Sequence, residues 1–264
     1  MTYPLIPAFD FIEAPAPVDS PLAHFERTES SVTLGLAGSG SIEVTRAGIT
    51  VFAPDAHGFT RTTVRLGEWA QAQWLASNGY FVMRGAALGY RDQAVVLVGG
   101  SRCGASVLAL VLSRRGWGLI SDGLVVIDAE RIVRSLCPNV TLDSEVIIGM
   151  PSEVHRESLN SGRDRVVVTT NGHPDAPLGA LVFMRVRQSL TALAFEQVPF
   201  DHAAVLALEA NRIRALFGDS VDVPERCDVP AWRLARPVFT SVREACSPPE
   251  LASRVMVAIP TMVN

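Results

Sequence analysis

The stretch Ala94–Asp128 constrains the chain most: AVVLVGGSRCGASVLALVLSRRGWGLISDGLVVID. Its five opening residues, Ala94 to Val98, have the length and composition of a buried parallel strand. A glycine-rich segment follows, Gly99-Gly100-Ser101-Arg102-Cys103-Gly104, and then Val107, Leu108, Leu110, Val111 and Leu112 recur at helical spacing. Arg114-Arg115 place cations at a helix C-terminus and Gly116 ends it. A short second strand, Leu119 to Ser121, delivers Asp122 at its end. Strand, glycine loop, helix, strand and Asp is the order of a phosphate-binding βαβ unit, so an α/β fold is expected.

The loop matches G-x-x-x-x-G-K-[ST] at every fixed position but one. Gly99, Gly104 and Ser106 are in place, and Ala105 stands where the lysine belongs. The glycines let backbone N–H groups turn towards an anion, and Ser106 can reach a bound Mg²⁺. The absent lysine would neutralise charge on a transferring phosphoryl group, an interaction of roughly 1.5–3 kcal/mol for one charge-assisted hydrogen bond. No other lysine can replace it, because all 23 basic residues are arginine. Arg102 in the loop, or Arg84 and Arg115 nearby, offers a planar fork on a longer stem, which is not an equivalent of the ammonium.

These residues resemble the C-terminal domain of the HPr kinase/phosphorylase family, especially the HPr-kinase-like proteins of lasso-peptide and related peptide-maturation clusters. The resemblance rests on the loop, on its continuation LALVLSRRGWGLISDGLVVID, and on Met83-Arg84-Gly85-Ala86 upstream, where relatives carry a histidine-containing segment. A looser similarity continues through Cys137-Pro138 and Arg163–Val168 to an apolar strand at Leu178–Met184. It implies a P-loop core of the HPr-kinase and phosphoenolpyruvate-carboxykinase type over 79–264: a mixed sheet with flanking helices, preceded by a β-rich extension over 1–78. It implies that Gly99, Gly100, Ser101, Arg102, Cys103, Gly104, Ala105 and Ser106 face ATP, and that Ser106 and Asp122 hold Mg²⁺. Asp122 and Arg84, the latter at the histidine position, then stand at the catalytic places. The family's Asp-Asp pair reads Asp122-Gly123 here, so three chemically important positions are altered together. ATP with Mg²⁺ is accordingly expected to bind weakly or not at all.

Composition bounds the remaining choices. At 264 residues and 48% hydrophobic content the chain can build a sizeable core in one large or two small domains. A net charge of −4 gives no electrostatic case for nucleic acid or an anionic membrane. No apolar run approaches the ~18 residues of a membrane helix, and no signal peptide is read, so a cytoplasmic protein is expected. The four cysteines, Cys103, Cys137, Cys227 and Cys246, form no C-x-x-C pair. Cys103 is expected to fill a small-residue slot in the loop rather than to act as a nucleophile.

Residues 1–22 hold five prolines and read as an extended arm or tail. Ser31–Leu36, Ser41–Thr45 and Gly48–Ala53 alternate as an antiparallel meander, and Arg65–Ser77 has helical periodicity. Tyr80–Leu88 is a strand leading through the turn Gly89–Gln93 into the loop. Further strands are expected at Arg131–Leu136, Val146–Ile148, Arg165–Thr170, Leu178–Val186 and Pro230–Leu234, with helices at His202–Phe217 and Ser247–Val257. Asp143-Ser144-Glu145 reads first as a solvated turn, with a metal-binding carboxylate near Asp122 as the minor alternative, and Arg163 and Arg165 as edge-strand arginines. The five histidines are scattered, and His57 and His173 are placed on loops.

Three functions stay open at this stage. The first is a degenerate kinase-like scaffold that binds or acts on a peptide or protein partner, with phosphotransfer lost. The second is an active serine kinase using arginines for the missing lysine. The third re-uses the pocket for general-base chemistry on a peptide through Asp122, since a helix N-terminus stabilises an oxyanion as well as a phosphate. The peptide-maturation setting, and homo-oligomerisation as an open question, come from the resemblance alone.

Overall fold

A computed structural model describes residues 6–15, 23–100, 103–136, 139–143, 165–187, 194–199 and 229–237. The chain divides into two compact units, with the break between Tyr80 and Phe81. Expected strand Val146–Ile148, expected helices His202–Phe217 and Ser247–Val257, and Cys137-Pro138 and Arg163 lie outside the described residues.

In the first unit β1 (Phe9–Glu13), β2 (Ala23–Arg27), β3 (Ser31–Leu36), β4 (Gly40–Thr45) and β5 (Ile49–Ala53) form one sheet in the order β1-β5-β4-β3-β2. Strands β3 to β5 are the antiparallel meander that alternation and the Gly-rich turns dictate, and β2 adds to it antiparallel to β3. Within the proline-rich arm, β1 runs parallel along β5. Alternate residues Ile42, Val44, Ile49, Val51 and Ala53 are buried under Leu66 and Ala70 of the helix α1 (Ala56–Ser77).

Helix α1 begins nine residues ahead of the periodic stretch at Arg65, and so His57 is in its first turn rather than on a loop. Asp55 is the N-cap, its carboxylate accepting the Gly58 N–H at 2.6 Å. The periodicity failed there because Gly58, Thr60, Thr62 and Thr63 are weak helix formers. Gly58 is required by packing: a Cβ would lie 2.8 Å from both Pro54 and the Ser39 carbonyl.

The second unit is a seven-stranded mixed sheet in the order β13-β14-β12-β7-β6-β8-β9. Its strands are β6 (Phe81–Tyr90), β7 (Gln93–Val98), β8 (Gly118–Ile127), β9 (Ile132–Arg134), β12 (Ala176–Arg187), β13 (Ala194–Val198) and β14 (Ala231–Pro237). Strand β7 is buried and parallel to β12, as its apolar run predicts, and β12 is parallel to β14. Strand β6 is antiparallel to both β7 and β8. The unit β7–α2–β8, with α2 at Ala105–Ser113, is therefore a split crossover with β6 inserted between its two like-directed strands. Strand β9 pairs with β8 and also with the start of β12.

One face of this sheet is closed by α2 and by a ribbon of β10 (Asn139–Asp143) and β11 (Arg165–Thr169). Leu108 and Leu112 of α2, Val140 and Leu142 of β10, and Val168 of β11 share one core with Leu88, Val95, Leu97 and Val182 of the sheet. Strands β2 and β13 have too little apolar alternation to be read from sequence, and β10, where only Val140 and Leu142 alternate with polar residues, is too short to stand out. The expected short strand at Leu119–Ser121 is a ten-residue strand, β8, so Asp122 lies in mid-strand instead of at a strand end.

Gly85 of β6 pairs with Val98 on one side and Gly123 on the other. A Cβ at Gly85 would sit 2.0 Å from the Leu97 carbonyl oxygen, a backbone atom that cannot swing aside. Gly85→Ala is expected to lower unfolding free energy by about 3 kcal/mol, read as a fall in urea midpoint at unchanged slope. Gly116→Ala, in open space at φ 92, is expected to cost only about 1 kcal/mol.

Candidate functional site

The loop leaves the C-terminal end of β7 and enters α2. The Gly99 N–H donates to the Arg84 carbonyl at 3.1 Å, and the Cys103 N–H donates to the Gly100 carbonyl at 3.2 Å. Gly104 takes φ 93 as the N-cap of α2, a left-handed conformation that glycine adopts without strain. It supplies no side-chain cap, and no acidic residue lies in the first turn, so the helix start carries its partial positive charge uncompensated by these means. Ser101 and Arg102 lie outside the described residues.

Two loop side chains turn inward. Cys103 and Ala105 are 8% and 6% exposed and belong to the same apolar core as Leu108. The Cys103 sulfur fills the space over Gly99, where a Cβ would be 2.5 Å from it. Ala105 occupies the lysine position of the phosphate-loop pattern, and its methyl group packs in the core.

Ser106, one residue on, donates its hydroxyl to Asp122 Oδ1 at 2.8 Å. The other carboxylate oxygen, Oδ2, accepts the backbone N–H of Thr141 at 3.1 Å. Sequence spacing put Ser106 and Asp122 on one unit. The Thr141 contact had no sequence signal, because any residue but proline supplies that amide. Asp122 pairs with Ala86 across β6–β8, and Arg84 pairs with Leu124, so Arg84 and Asp122 belong to the same sheet face two positions apart. The Arg84 side chain is exposed. Gly123 has φ 86, and a Cβ there would meet nothing within 4 Å.

Among the described residues no group of three or more His, Cys, Asp or Glu could hold a metal ion. Ser106 and Asp122 are two oxygen donors, which suits a hard cation that keeps most of its water or takes the rest of its ligands from a substrate. Ser144 and Glu145 lie outside the described residues; Asp143 ends β10 opposite Arg165.

His173 stands at the far end of β6 and β8. Its main chain brackets Leu119, with Leu119 N–H donating to Asn171 and His173 N–H donating to Leu119, both at 2.8 Å. The ring lies over the Gly89–Gly118 pair, where a Cβ on Gly89 would be 2.3 Å from it, and Nδ1 is 2.8 Å from the Pro174 carbonyl.

A charged cluster that the sequence left unmarked ties β9 to the start of β12. Arg134 pairs with Asp128, and with Asp175 at 2.8 Å. Asp128 is buried and also accepts the Ile132 N–H at 2.8 Å, while Asp175 accepts the Ser135 N–H at 2.7 Å. The hydrogen bond to Asp175, aided by the charge of Asp128, outweighs partial burial and holds the Arg134 guanidinium above its ordinary range. The stability that this shift contributes is fully present below the unfolded-state pKa of the guanidinium and is lost only as pH rises through the higher folded value. Arg134→Ala, which strands the buried Asp128, is expected to cost about 2–3 kcal/mol in chemical denaturation. Asp175→Ala, at a site 40% exposed, is expected to cost under about 1 kcal/mol.

No helix among the described residues is long and apolar enough to cross a membrane. No family model matches the chain, and no curated protein matches it. Among solved structures, the Hpr(Ser) kinase/phosphatase from Coxiella burnetii matches at 10% identity and a TM-score of 0.36, over 68% of this chain and 94% of that one. That likeness is distant.

Proposed function

We propose that the chain is a degenerate HPr-kinase-like protein that has given up ATP-dependent phosphotransfer and binds a peptide or protein partner in the cytoplasm. The setting we propose is the maturation of a ribosomally made peptide of the lasso type. One observation carries the loss of phosphotransfer: Ala105 is packed in the apolar core at the position where a phosphate-loop lysine would stand. The neighbouring Ser106–Asp122 pair persists at 2.8 Å. That pair stands beside a loop whose lysine position holds an alanine, and Gly123 leaves open the place of a second carboxylate.

A specific observation favours a second reading, an active serine kinase. Arg84 is fastened to the loop through its carbonyl and Gly99, so an arginine stands beside the segment that lacks a lysine. Calorimetric titration with ATP and ADP, with and without Mg²⁺, separates the two. The scaffold reading expects no binding at millimolar nucleotide and no phosphate transfer to candidate peptides. Micromolar, Mg²⁺-dependent binding that disappears in Ser106→Ala would establish the kinase instead. The scaffold reading further expects Asp122→Asn, a near-isosteric change, to leave partner affinity within about twofold.

The double variant Ala105→Lys/Gly123→Asp returns both lost charges. Asp tolerates a left-handed backbone better than most residues, at a cost of about 1 kcal/mol. Because the Ala105 methyl group packs in the core, the lysine stem has to leave that core, and the expected outcome is a gain of nucleotide binding over the parent with a loss of stability of about 1–3 kcal/mol. A variant that folds and binds no nucleotide would count against kinase-like ancestry of the pocket.

A further inference from the structure

Strand β1 ends the sheet of the first unit, and among the described residues no strand pairs with its outer side. The Ala14 N–H donates to the Ala53 carbonyl at 3.0 Å. Main-chain groups alternate in direction along a strand, so Asp10 and Ile12 turn theirs to β5 as Ala14 does, and Phe9, Phe11 and Glu13 turn theirs outward. The side chains leave apolar surface on both faces. Phe9 lies against Gly67 of α1, and Phe11 meets Phe59 edge-on with ring centroids 5.2 Å apart, yet Phe11 is 45% exposed. Ile12 is 48% exposed on the opposite face, and Val64, three residues before Gly67, is 37% exposed. Of the four large apolar side chains exposed among the described residues, only Phe25 lies elsewhere, in β2 at the other edge of the sheet. Edge strands are commonly guarded by a cation or a bulge, whereas the only charges in β1 are the carboxylates of Asp10 and Glu13.

We propose that β1 is a docking edge to which an extended peptide of the pattern basic–apolar–apolar–basic adds as a further strand. The inference deepens, and rests on, the reading of the chain as a peptide-binding scaffold, and it uses no residue of the glycine loop. The outward amides and carbonyls of Phe9, Phe11 and Glu13 supply the main-chain bonds. Residues opposite one another on paired strands share a face, so the order Asp10-Phe11-Ile12-Glu13 asks for a cation, two apolar side chains and a cation in turn. That order reads alike in both directions, so a parallel and an antiparallel partner both fit. A second copy of the chain fits poorly. Laid antiparallel about Phe11, it sets Asp10 against the copy's Ile12 and Glu13 against the copy's Phe9, and β1 brings no cation to either carboxylate.

The probe is a fluorescein-labelled synthetic peptide, Thr-Arg-Val-Val-Arg-Thr with blocked ends, titrated with the full chain and read by fluorescence polarisation. The expected dissociation constant is on the order of 100 μM, with the same peptide carrying Glu for Arg bound at least about tenfold more weakly. Methylating the two valine nitrogens, which removes donors without changing charge, is expected to cost about tenfold as well. Ile12→Arg places a cation on the edge and is expected to weaken the Arg peptide about tenfold, while Phe25→Arg at the opposite edge leaves it unchanged. Asp10→Asn/Glu13→Gln is expected to abolish the preference for Arg over Glu, and it decides the matter should Ile12→Arg not fold. Equal binding of the Arg and Glu peptides overturns the proposal, as does indifference to N-methylation or no binding at millimolar peptide. Concentration-dependent dimerisation that Ile12→Arg removes assigns the edge to a second copy and overturns it too. A peptide bound equally by wild type and Ile12→Arg overturns the docking edge and leaves the peptide-binding reading in place. Nucleotide binding by the wild-type chain counts against the loss of phosphotransfer and leaves the edge untouched.

Discussion

The second unit turns on the packing of α2 against the sheet. Leu108 and Leu112 sink into the core beside Leu88, Leu97 and Val182, and this fixes where the helix begins. The first turn then has no freedom in what it presents: Ala105 points into the core and Ser106 towards β8. Burying side chains of this size stabilises by roughly 1.5–3 kcal/mol each, and several act together, against a comparable contribution from the one charge-assisted contact of Ser106 with Asp122. The core therefore dictates the pocket, and a polar group survives only where the helix phase turns it outward.

That ordering explains what could be read in advance. The buried run Ala94–Val98, the glycine loop and the helix after it are local signals, and the structure has them as β7, the turn at Gly104 and α2. The meander was legible for the same reason, since alternation at Ser31–Leu36 and Gly40–Thr45 maps directly onto one buried face. What sequence could not supply was pairing across long separations. Strand β6 is inserted between β7 and β8, and Asp122 lies inside a long strand; neither follows from spacing. Thr141 reaches Asp122 by a main-chain group, which carries no residue signature. In the triad of Asp128, Arg134 and Asp175, the local β8–β9 pairing brings Arg134 to Asp128, but Asp175 joins them only after β9 has paired with β12.

Glycine carries a second kind of information in this chain. At Gly58, Gly85 and Gly99 the absent Cβ makes room for a carbonyl or a sulfur atom, so these residues are spacers. Gly89 and Gly118 together floor the seat of the His173 ring. Gly123 is different, with open space around it beside Asp122. A glycine count would treat these alike; the contacts separate the residues that hold the fold from those, such as Gly123, with room for a side chain.

The double pairing of β9 has a topological consequence. Because β9 is bonded to β8 and to the first residues of β12, the strands β12, β7, β6, β8 and β9 return on themselves as a ring. A sheet that bites its own margin has no open row of amides at that point for a neighbouring molecule to extend. Arg134, bridging carboxylates before β9 and before β12, works as the clasp on that ring. A three-residue strand thereby does for this sheet what a long covering helix does for others: it hides a border by joining it to the interior.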